Sequence, residues 1–215
     1  MSPRRYDMTR KRALAEQTRQ RIVEATLKLH GEKGIFGTSW ADIAHAANVS
    51  VGTVYRHFPS LDDLVPACGA LMFQRTQPPA PEDIDGMLAD VRDPVARIHV
   101  VAKTLFAFYA RGGSFLESDL RERQLPSVRE WEAFLRSTVR TFFLEAAQGV
   151  DVDLPAKERL CFLFDVPTFL ALRSRGIETH EAAAIATDLA ARALDLASGP
   201  PDGIGPVGGS RPAKS

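Results

Sequence analysis

The sequence predicts an all-α protein, with an amino-terminal helix-turn-helix domain followed by a larger helical domain. Two short helical patterns lie between residues 38 and 58 and are separated by a single turn. A cluster of helix breakers at 77–81 then separates this region from several longer helical patterns. Hydrophobic residues make up 45% of the 215 residues, which is typical of a globular protein with a substantial core.

A first helix is predicted over residues 13–33. Ile22, Ala25 and Leu29 fall on one face of it, and Gly31 and Gly34 mark its end. The preceding residues 1–12 contain five basic side chains. They fit either a solvated, disordered tail or a basic arm that lies along DNA. Both interpretations hold if the arm is disordered until it binds DNA.

The second predicted helix begins after Ser39 and ends at Asn48. Ser39 and Asp42 have the spacing of a capping box, in which each side chain bonds the backbone N–H of the other residue. Asn tolerates the left-handed conformation that stops a helix. The inner face is predicted to consist of Ile43, Ala46 and Ala47.

The third predicted helix begins after Ser50 and packs inward through Val54 and Phe58. Its outer face carries Val51, Gly52, Thr53, Tyr55, Arg56 and His57. Hydroxyls and a cation near a helix start suit a phosphate backbone, because the free N–H groups there already favour anions. Spacing alone leaves two interpretations open, a DNA-binding helix-turn-helix and a helical hairpin with a solvated face.

Charge is distributed unevenly along a chain whose formal net charge is zero. Residues 1–58 carry 10 Lys and Arg against 5 Asp and Glu, which leaves 17 against 22 for residues 59–215. A basic end on a neutral protein indicates that nucleic acid binds at that end only.

The remaining helices are predicted from caps, breakers and apolar spacing. Ser60 and Asp63 repeat the capping pattern, and Asp93 with Pro94 begins a strongly apolar helix. A kink is expected at Pro167, and Thr179 is expected to cap the last helix. The predicted ranges are 61–76, 82–90, 94–109, 115–124, 127–148, 155–174 and 179–197.

These patterns divide the chain into three parts. Residues 1–77 form the predicted basic arm and helix-turn-helix domain, and residues 78–197 form a helical domain for ligand binding and dimerisation. Residues 198–215 are rich in Gly, Pro and Ser without apolar periodicity, and are predicted to be disordered.

Aromatic residues of the second domain suggest an apolar cavity between helices. Simple core packing is the alternative for each of them, because aromatic residues at helical spacing are more often core. The candidate lining residues are Phe106, Tyr109, Phe115, Trp131, Phe134, Phe162 and Phe169. The hypothesis is an apolar or aromatic small ligand.

Several other functions find no support in the sequence. There is no nucleophile motif, Gly-rich phosphate loop or spaced set of metal ligands, so we expect neither an enzyme nor a cofactor or metal. Cys68 and Cys161 lie far apart and are expected to be reduced thiols in the cytoplasm. No apolar run reaches membrane-spanning length, and no apolar segment follows the basic amino terminus as in a signal peptide.

The residues of the helix-turn-helix resemble the tetracycline-repressor (TetR) family of transcriptional regulators. The resemblance covers roughly residues 15–75 and agrees in order and spacing at many positions. The matching strings are Asp42-Ile43-Ala44, Ala47-Asn48-Val49-Ser50, Gly52-Thr53-Val54-Tyr55-Arg56-His57-Phe58, Ser60 and Asp62-Asp63-Leu64. Beyond this stretch, only length and helical character resemble the family.

The resemblance implies a homodimeric repressor that binds a palindromic DNA operator in the bacterial cytoplasm and is released by a small ligand. The alternative is a non-regulatory helical ligand-binding protein or enzyme that retains the helix-turn-helix. The helix after Ser50 would enter the major groove. Phosphate contacts are implied for Ser39, Thr53, Tyr55 and His57, and proximity to base edges for Val51, Gly52 and Arg56. Thr38 and Ser50 complete the predicted DNA-binding set.

The dimer interface is implied to lie in the last two helices, residues 155–197. The small and apolar residues expected there are Ala171, Leu172, Ala183, Ala186, Leu189, Ala190 and Leu194. Packing within one chain is the alternative. The sequence departs from the family pattern at Asn48, where Gly is usual, and at Val51 and Leu61, where polar or basic residues are frequent.

Overall fold

The computed structural model describes residues 8–196, which contain ten α-helices and no β-strand. The helices are α1 (Met8–Lys33), α2 (Trp40–Ala46), α3 (Val51–His57), α4 (Leu61–Thr76), α5 (Ile84–Leu88), α6 (Pro94–Gly112), α7 (Pro126–Ala146), α8 (Leu154–Leu160), α9 (Val166–Arg173) and α10 (Thr179–Ala193). Short 3-10 turns lie at Pro81–Asp83, Gly113–Leu116, Glu122–Gln124 and Cys161–Phe164. The all-α prediction is therefore confirmed for this part of the chain.

Helices α1 to α4, residues 8–76, form the amino-terminal unit. Its centre is filled by Ile22, Ile43, Val54, Phe58 and Leu64, each at most 1% exposed. These side chains come from all four helices, so α1 and α4 support the two short helices α2 and α3. Ala46 is exposed, and Ala44 takes its predicted place on the inner face of α2.

Local hydrogen bonds set the bounds of the short helices as predicted. Ser39 and Asp42 form a capping box at α2, and the Ser50 hydroxyl accepts the Thr53 N–H at 3.1 Å. Asn48 follows α2 with a φ of 52°, a left-handed conformation that Asn tolerates. The turn between α2 and α3 is thereby fixed by the residues within it.

Helix α6 lies at the centre of the second half of the described chain. Its apolar residues face several neighbours, including α7 and α10, and Ile98, Val101 and Phe106 are fully buried. The small residues of α10 pack against it within the chain. This corrects part of the predicted dimer interface, because Ala183, Ala186, Ala190 and Leu194 are at most 3% exposed.

Three predicted helices of the second half are wrong in detail. Residues 115–124 form no α-helix, only 3-10 turns at Gly113–Leu116 and Glu122–Gln124. Helix α7 begins at Pro126 without a side-chain cap from Ser127, and ends at Ala146. The predicted helix over 155–174 consists of two helices, because Pro167 lies in the first turn of α9 instead of kinking a longer helix.

The last helix also begins differently from the prediction. Glu178 is the residue before it, and the Glu181 carboxylate accepts the Glu178 backbone N–H at 3.1 Å. Thr179 is therefore the first helical residue and not the cap. The helix ends at Ala193, four residues before the predicted end.

Helix α1 begins at Met8, so residues 8–12 of the predicted basic arm are helical. Residues 1–7, including Arg4 and Arg5, and the predicted disordered tail 198–215 lie outside the described residues. The domain boundary at residue 77 stays a prediction. None of the helices between residues 8 and 196 combines the length and the apolar character needed to cross a bilayer.

Candidate functional site

Helix α3 presents the predicted DNA-binding residues on one outer face. Val51 and Tyr55 are 39% and 45% exposed, although both are large apolar or aromatic side chains. Gly52 and Arg56 are exposed between them, whereas Val54 is fully buried. The inner face of α3 is therefore packed against the core, and its outer face is accessible to a ligand.

The hydroxyl groups of Ser50 and Thr53 form a small hydrogen-bond network with Arg56 at the start of α3. Ser50 Oγ lies 2.9 Å from Thr53 Oγ1, and Arg56 Nη2 donates to Thr53 Oγ1 at 3.4 Å. The Arg56 guanidinium is thus drawn back toward the start of the helix, where unpaired N–H groups already create positive potential. This concentrates anion-binding groups at one end of α3.

The Tyr55 ring stacks on Trp40, with ring centroids 4.7 Å apart and an interplanar angle of 27°. Trp40 is half-buried at the start of α2 and packs against the core. The stack fixes the direction of the Tyr55 ring and leaves the side chain almost half exposed. The orientation of Tyr55 therefore depends on the neighbouring helix.

Thr38 and Ser39 already have partners within the chain. The Thr38 hydroxyl donates to the Gly34 carbonyl at 2.8 Å, and the Ser39 hydroxyl donates to the Asp42 carboxylate at 2.8 Å. The Ser39 hydrogen bonds lower the pKa of Asp42. A phosphate bound to Ser39 would therefore have to replace an anionic partner.

His57 ends α3 and is half-buried. Burial lowers its pKa, and the nearby Arg56 and Arg19 guanidinium groups lower it further, against an opposing effect of Glu16. The ring is therefore neutral at neutral pH in the free protein. It can still donate a hydrogen bond to a phosphate.

Basic residues of α1 lie beside the end of α3. Arg12, Arg19 and His57 border one groove, and the Arg19 guanidinium lies 4.8 Å from the centre of the Phe58 ring. The helical part of the predicted basic arm thus extends the positive charge next to α3. This arrangement matches a surface that binds an extended polyanion.

A cavity of about 620 Å³ lies between the amino-terminal unit and the helices that follow it. Its walls come from the end of α1, from α4, from the segment 115–122 and from the start of α7. Three of the seven predicted aromatic residues, Phe115, Trp131 and Phe134, line it. Volume and lining are those of a small-molecule site.

The structure corrects the prediction for the other four aromatic residues. Phe106, Tyr109 and Phe169 pack against each other with ring centroids 5.2 to 5.9 Å apart and are at most 3% exposed. Phe106 and Tyr109 belong to α6 and Phe169 to α9, and the three rings fill the space between these helices, so they line no ligand site. Phe162 is 58% exposed on a 3-10 turn.

Two residues that line the cavity each carry a buried side-chain nitrogen without a hydrogen-bond partner: His30 Nε2 and Trp131 Nε1. Burial lowers the pKa of His30 to about 4, so the ring is neutral. His30 was not among the predicted cavity residues. No sequence pattern singles it out, because the other walls of the cavity come from α4, the segment 115–122 and α7, which are distant from α1 in the chain.

Both cysteines lie in surroundings that disfavour the thiolate. Cys68 is buried and Cys161 half-buried, both are free, and burial raises their pKa values to about 12 and about 11. Within residues 8–196, no group of three His, Cys, Asp or Glu side chains could hold a metal ion.

Comparison with known proteins matches residues 22–68 to the family described as bacterial regulatory proteins, tetR family. The HTH-type transcriptional regulator AcrR of Shigella flexneri is 42% identical over 50 residues, which is 23% of each chain. The HTH-type transcriptional repressor KstR of Rhodococcus jostii (strain RHA1) is 33% identical over 86 residues, 40% of this chain and 38% of KstR. The chain thus matches less than half the length of these curated relatives.

Solved structures extend the similarity to most of the chain. A TetR transcriptional regulator from Chloroflexus aurantiacus J-10-FL is 26% identical, with a TM-score of 0.57 over 85% of this chain and 96% of that one. A TetR transcription regulator from Haloarcula marismortui ATCC 43049 is 17% identical and shares the fold, with a TM-score of 0.56 over 84% of this chain and 98% of that one.

Proposed function

Because the chain belongs to the TetR family of bacterial regulatory proteins, we propose that it is a sequence-specific, DNA-binding transcriptional repressor released by a small ligand. The observation that carries the proposal is the outer face of α3. It combines an exposed Val51, Tyr55 and Arg56 with a rigid inner anchor at Val54.

In this proposal, α3 lies in the major groove of double-stranded DNA. Arg56 donates to a base edge, and Val51 contacts a thymine methyl group while Gly52 permits close approach. Tyr55, Thr53 and His57 contact phosphates, with Ser50 holding Thr53 in position. Thr38 and Ser39 contribute at the edge of the site, after exchange of their present partners.

We further propose a homodimer formed through residues 155–197. Ile185 and Leu189 support it, because they lie one helical turn apart on α10 and are 36% and 47% exposed. Phe162 adds a third exposed apolar side chain from the same part of the chain. The interface differs from the alanine face predicted from sequence, which packs on α6.

A two-fold dimer reads a palindromic operator, because each copy supplies one α3. Half-sites are then expected about one helical turn apart, roughly 34 Å, or somewhat more. The assignment as a repressor is supported by the name of one relative, KstR, a transcriptional repressor that is 33% identical over 86 residues.

The test is a fluorescence-anisotropy titration of the full chain against DNA upstream of its own gene, at low and moderate salt. A random duplex of equal length is the control. Site-selective binding that weakens as salt rises is the expected result, because phosphate contacts release counterions. Binding no tighter than to random DNA, followed by failure to select any preferred duplex from a random pool, would overturn the proposal.

A further inference from the structure

We infer that the cavity between the amino-terminal unit and α7 binds a largely apolar molecule that carries an uncharged carbonyl- or hydroxyl-type oxygen and no anionic group. Trp131 Nε1 and His30 Nε2 are the polar atoms that would hold this oxygen. The inference deepens the effector part of the proposed function and rests on it.

The first argument is the unpaired indole N–H. Trp131 lines the cavity, and its Nε1 is buried without a partner. An indole nitrogen can only donate a hydrogen bond, and a buried donor without an acceptor lowers stability. An acceptor oxygen on a ligand would satisfy it, so this wall selects for molecules with such an oxygen.

The second argument is the chemistry of His30. Its Nε2 is also buried without a partner, and its pKa of about 4 keeps the ring neutral. A neutral imidazole nitrogen donates or accepts according to its tautomer, so it suits a hydroxyl as well as a carbonyl. His30 lies on α1 and Trp131 on α7, so one ligand would contact both parts of the chain.

The third argument is the charge of the wall. The residues described as lining the cavity include Glu117, Glu122 and Glu130, and they include neither Lys nor Arg. A ligand carboxylate or phosphate would meet like charge in a mainly apolar site, with no cation to pair it. Aromatic rings at Phe73, Phe115 and Phe134 suit an apolar body instead.

The position of the cavity makes it suitable for control of DNA binding. The Phe115 ring rests on the backbone of Gly31, where an added Cβ would lie 2.5 Å from the ring. A ligand that shifts Phe115 therefore changes a contact with the end of α1, on which the amino-terminal unit is built. Such a ligand favours one arrangement of the two parts and changes DNA affinity through it.

The test is equilibrium dialysis of the full chain with three probes that share a naphthalene ring: 2-acetylnaphthalene, 2-ethylnaphthalene and 2-naphthoate. The acetyl compound is expected to bind roughly tenfold tighter than the ethyl compound, because it recovers one buried hydrogen bond. The naphthoate is expected to bind at least about tenfold more weakly than the acetyl compound.

The variant Trp131→Phe should reduce the preference for acetyl over ethyl to less than about twofold, since the ring remains and the donor is gone. Trp40→Phe, which lies outside the cavity, should leave the preference unchanged. Absence of binding by all three probes, equal binding, or an undiminished preference in Trp131→Phe would overturn the inference. His30→Leu provides a second variant if Trp131→Phe folds poorly; it removes the ring nitrogen and is expected to weaken 2-acetylnaphthalene specifically.

The dialysis contains no DNA, so its failure leaves the DNA-binding proposal standing. Conversely, failure of the anisotropy titration overturns the proposed regulator and leaves the ligand chemistry of the cavity intact. The coupling is tested last, by repeating the operator titration with saturating 2-acetylnaphthalene. Unchanged operator affinity would overturn the regulatory consequence.

Discussion

The side-chain carboxylate of Glu122 accepts a hydrogen bond from the backbone N–H of Ile35, 87 residues earlier in the chain. Its other oxygen accepts the Asp119 N–H at 3.2 Å, and the residue is only 5% exposed. Nearby, the Arg121 guanidinium lies 4.1 Å from the centre of the Phe36 ring. The Glu122–Ile35 hydrogen bond and the Arg121–Phe36 contact join the 3-10 segment of the cavity wall to the turn that follows α1.

Replacement of Glu122 by Ala should lower the free energy of unfolding by about 1–3 kcal/mol, because the backbone N–H groups of Ile35 and Asp119 lose their acceptor. Urea denaturation followed by circular dichroism measures this change. Glu117→Ala removes an exposed carboxylate from the same cavity and should stay within about 0.5 kcal/mol of the parent chain. Equal effects of the two substitutions would show that the Ile35 contact contributes nothing.

Arg56→Ala should cost about 1–3 kcal/mol in operator binding and relax the preference at one base position in each half-site. The guanidinium is the longest donor on the exposed face of α3. Anisotropy titrations against duplexes substituted one base pair at a time measure both effects. Arg129→Ala, at an exposed arginine of α7 outside the proposed DNA face and dimer interface, is the control. A uniform loss across all duplexes would instead assign Arg56 to a phosphate.

Tyr55→Phe should weaken binding to all DNA sequences while leaving thermal stability unchanged. The stack on Trp40 needs only the ring, whereas a phosphate contact needs the hydroxyl. Tyr55→Ala should lower stability by about 0.5–1.5 kcal/mol beyond the effect of lost apolar area, because the ring pair is lost. Thermal melts and anisotropy on the same samples separate the two roles. Unaltered DNA affinity in Tyr55→Phe would remove the hydroxyl from the interface.

Protein stability should fall as the pH falls from about 6.5 toward 4, and His30 is one identifiable cause. Its pKa is 6.5 in the unfolded chain and about 4 in the folded one, so only the unfolded chain gains a proton in this window. Its contribution is present above pH 6.5 and lost as the pH falls. Between pH 7.5 and 4.5 the loss amounts to about 2 to 3 kcal/mol.

Urea denaturation at these two pH values checks this expectation on the parent chain and on His30→Gln. The variant should lose less stability on acidification, because Gln does not titrate. His45→Gln changes an exposed histidine of α2 and should keep the pH dependence of the parent chain. If His30→Gln loses as much stability on acidification as the parent chain, burial of His30 does not lower its pKa.

Leu189→Arg should convert the proposed dimer to a monomer. The side chain is 47% exposed in the single chain, so the substitution leaves the fold intact. An unpaired guanidinium buried in an interface should raise the dissociation constant by at least about 100-fold. Sedimentation velocity measures this change. Leu120→Arg, at a leucine that is 82% exposed, should sediment like the parent chain, and an unshifted Leu189→Arg would place the interface elsewhere.

The starts of α2, α3 and α4 could be predicted from the sequence because their signals are local. Ser39, Ser50 and Ser60 each bond a backbone N–H three residues ahead, so type and spacing alone define the helix starts. Asn48 adopts the predicted left-handed conformation for an equally local reason. The exposed face of α3 followed from these bounds and from the burial of Val54.

The second half was less predictable because its decisive contacts join distant segments. Residues 115–124 remain irregular, and their Glu122 finds its partner at Ile35. Both Phe106 and Phe115 were predicted from sequence to line a cavity. Phe106 is fully buried in the core as part of α6, whereas Phe115 lines the cavity. Pro167 shows a local ambiguity, since a proline fits the start of a new helix as well as a kink.

The two tryptophans of the chain divide between the two candidate sites. Trp40 stacks on Tyr55 beside the proposed DNA face, and Trp131 lines the cavity. Indole emission responds to quenching by a neighbour and to the polarity around the ring. A chain that retains only Trp40 would therefore report DNA contact, and one that retains only Trp131 would report cavity occupancy. The emission of the two tryptophans thus provides two separate fluorescence signals. With them, the order of DNA binding and ligand binding could be followed in time without an attached dye.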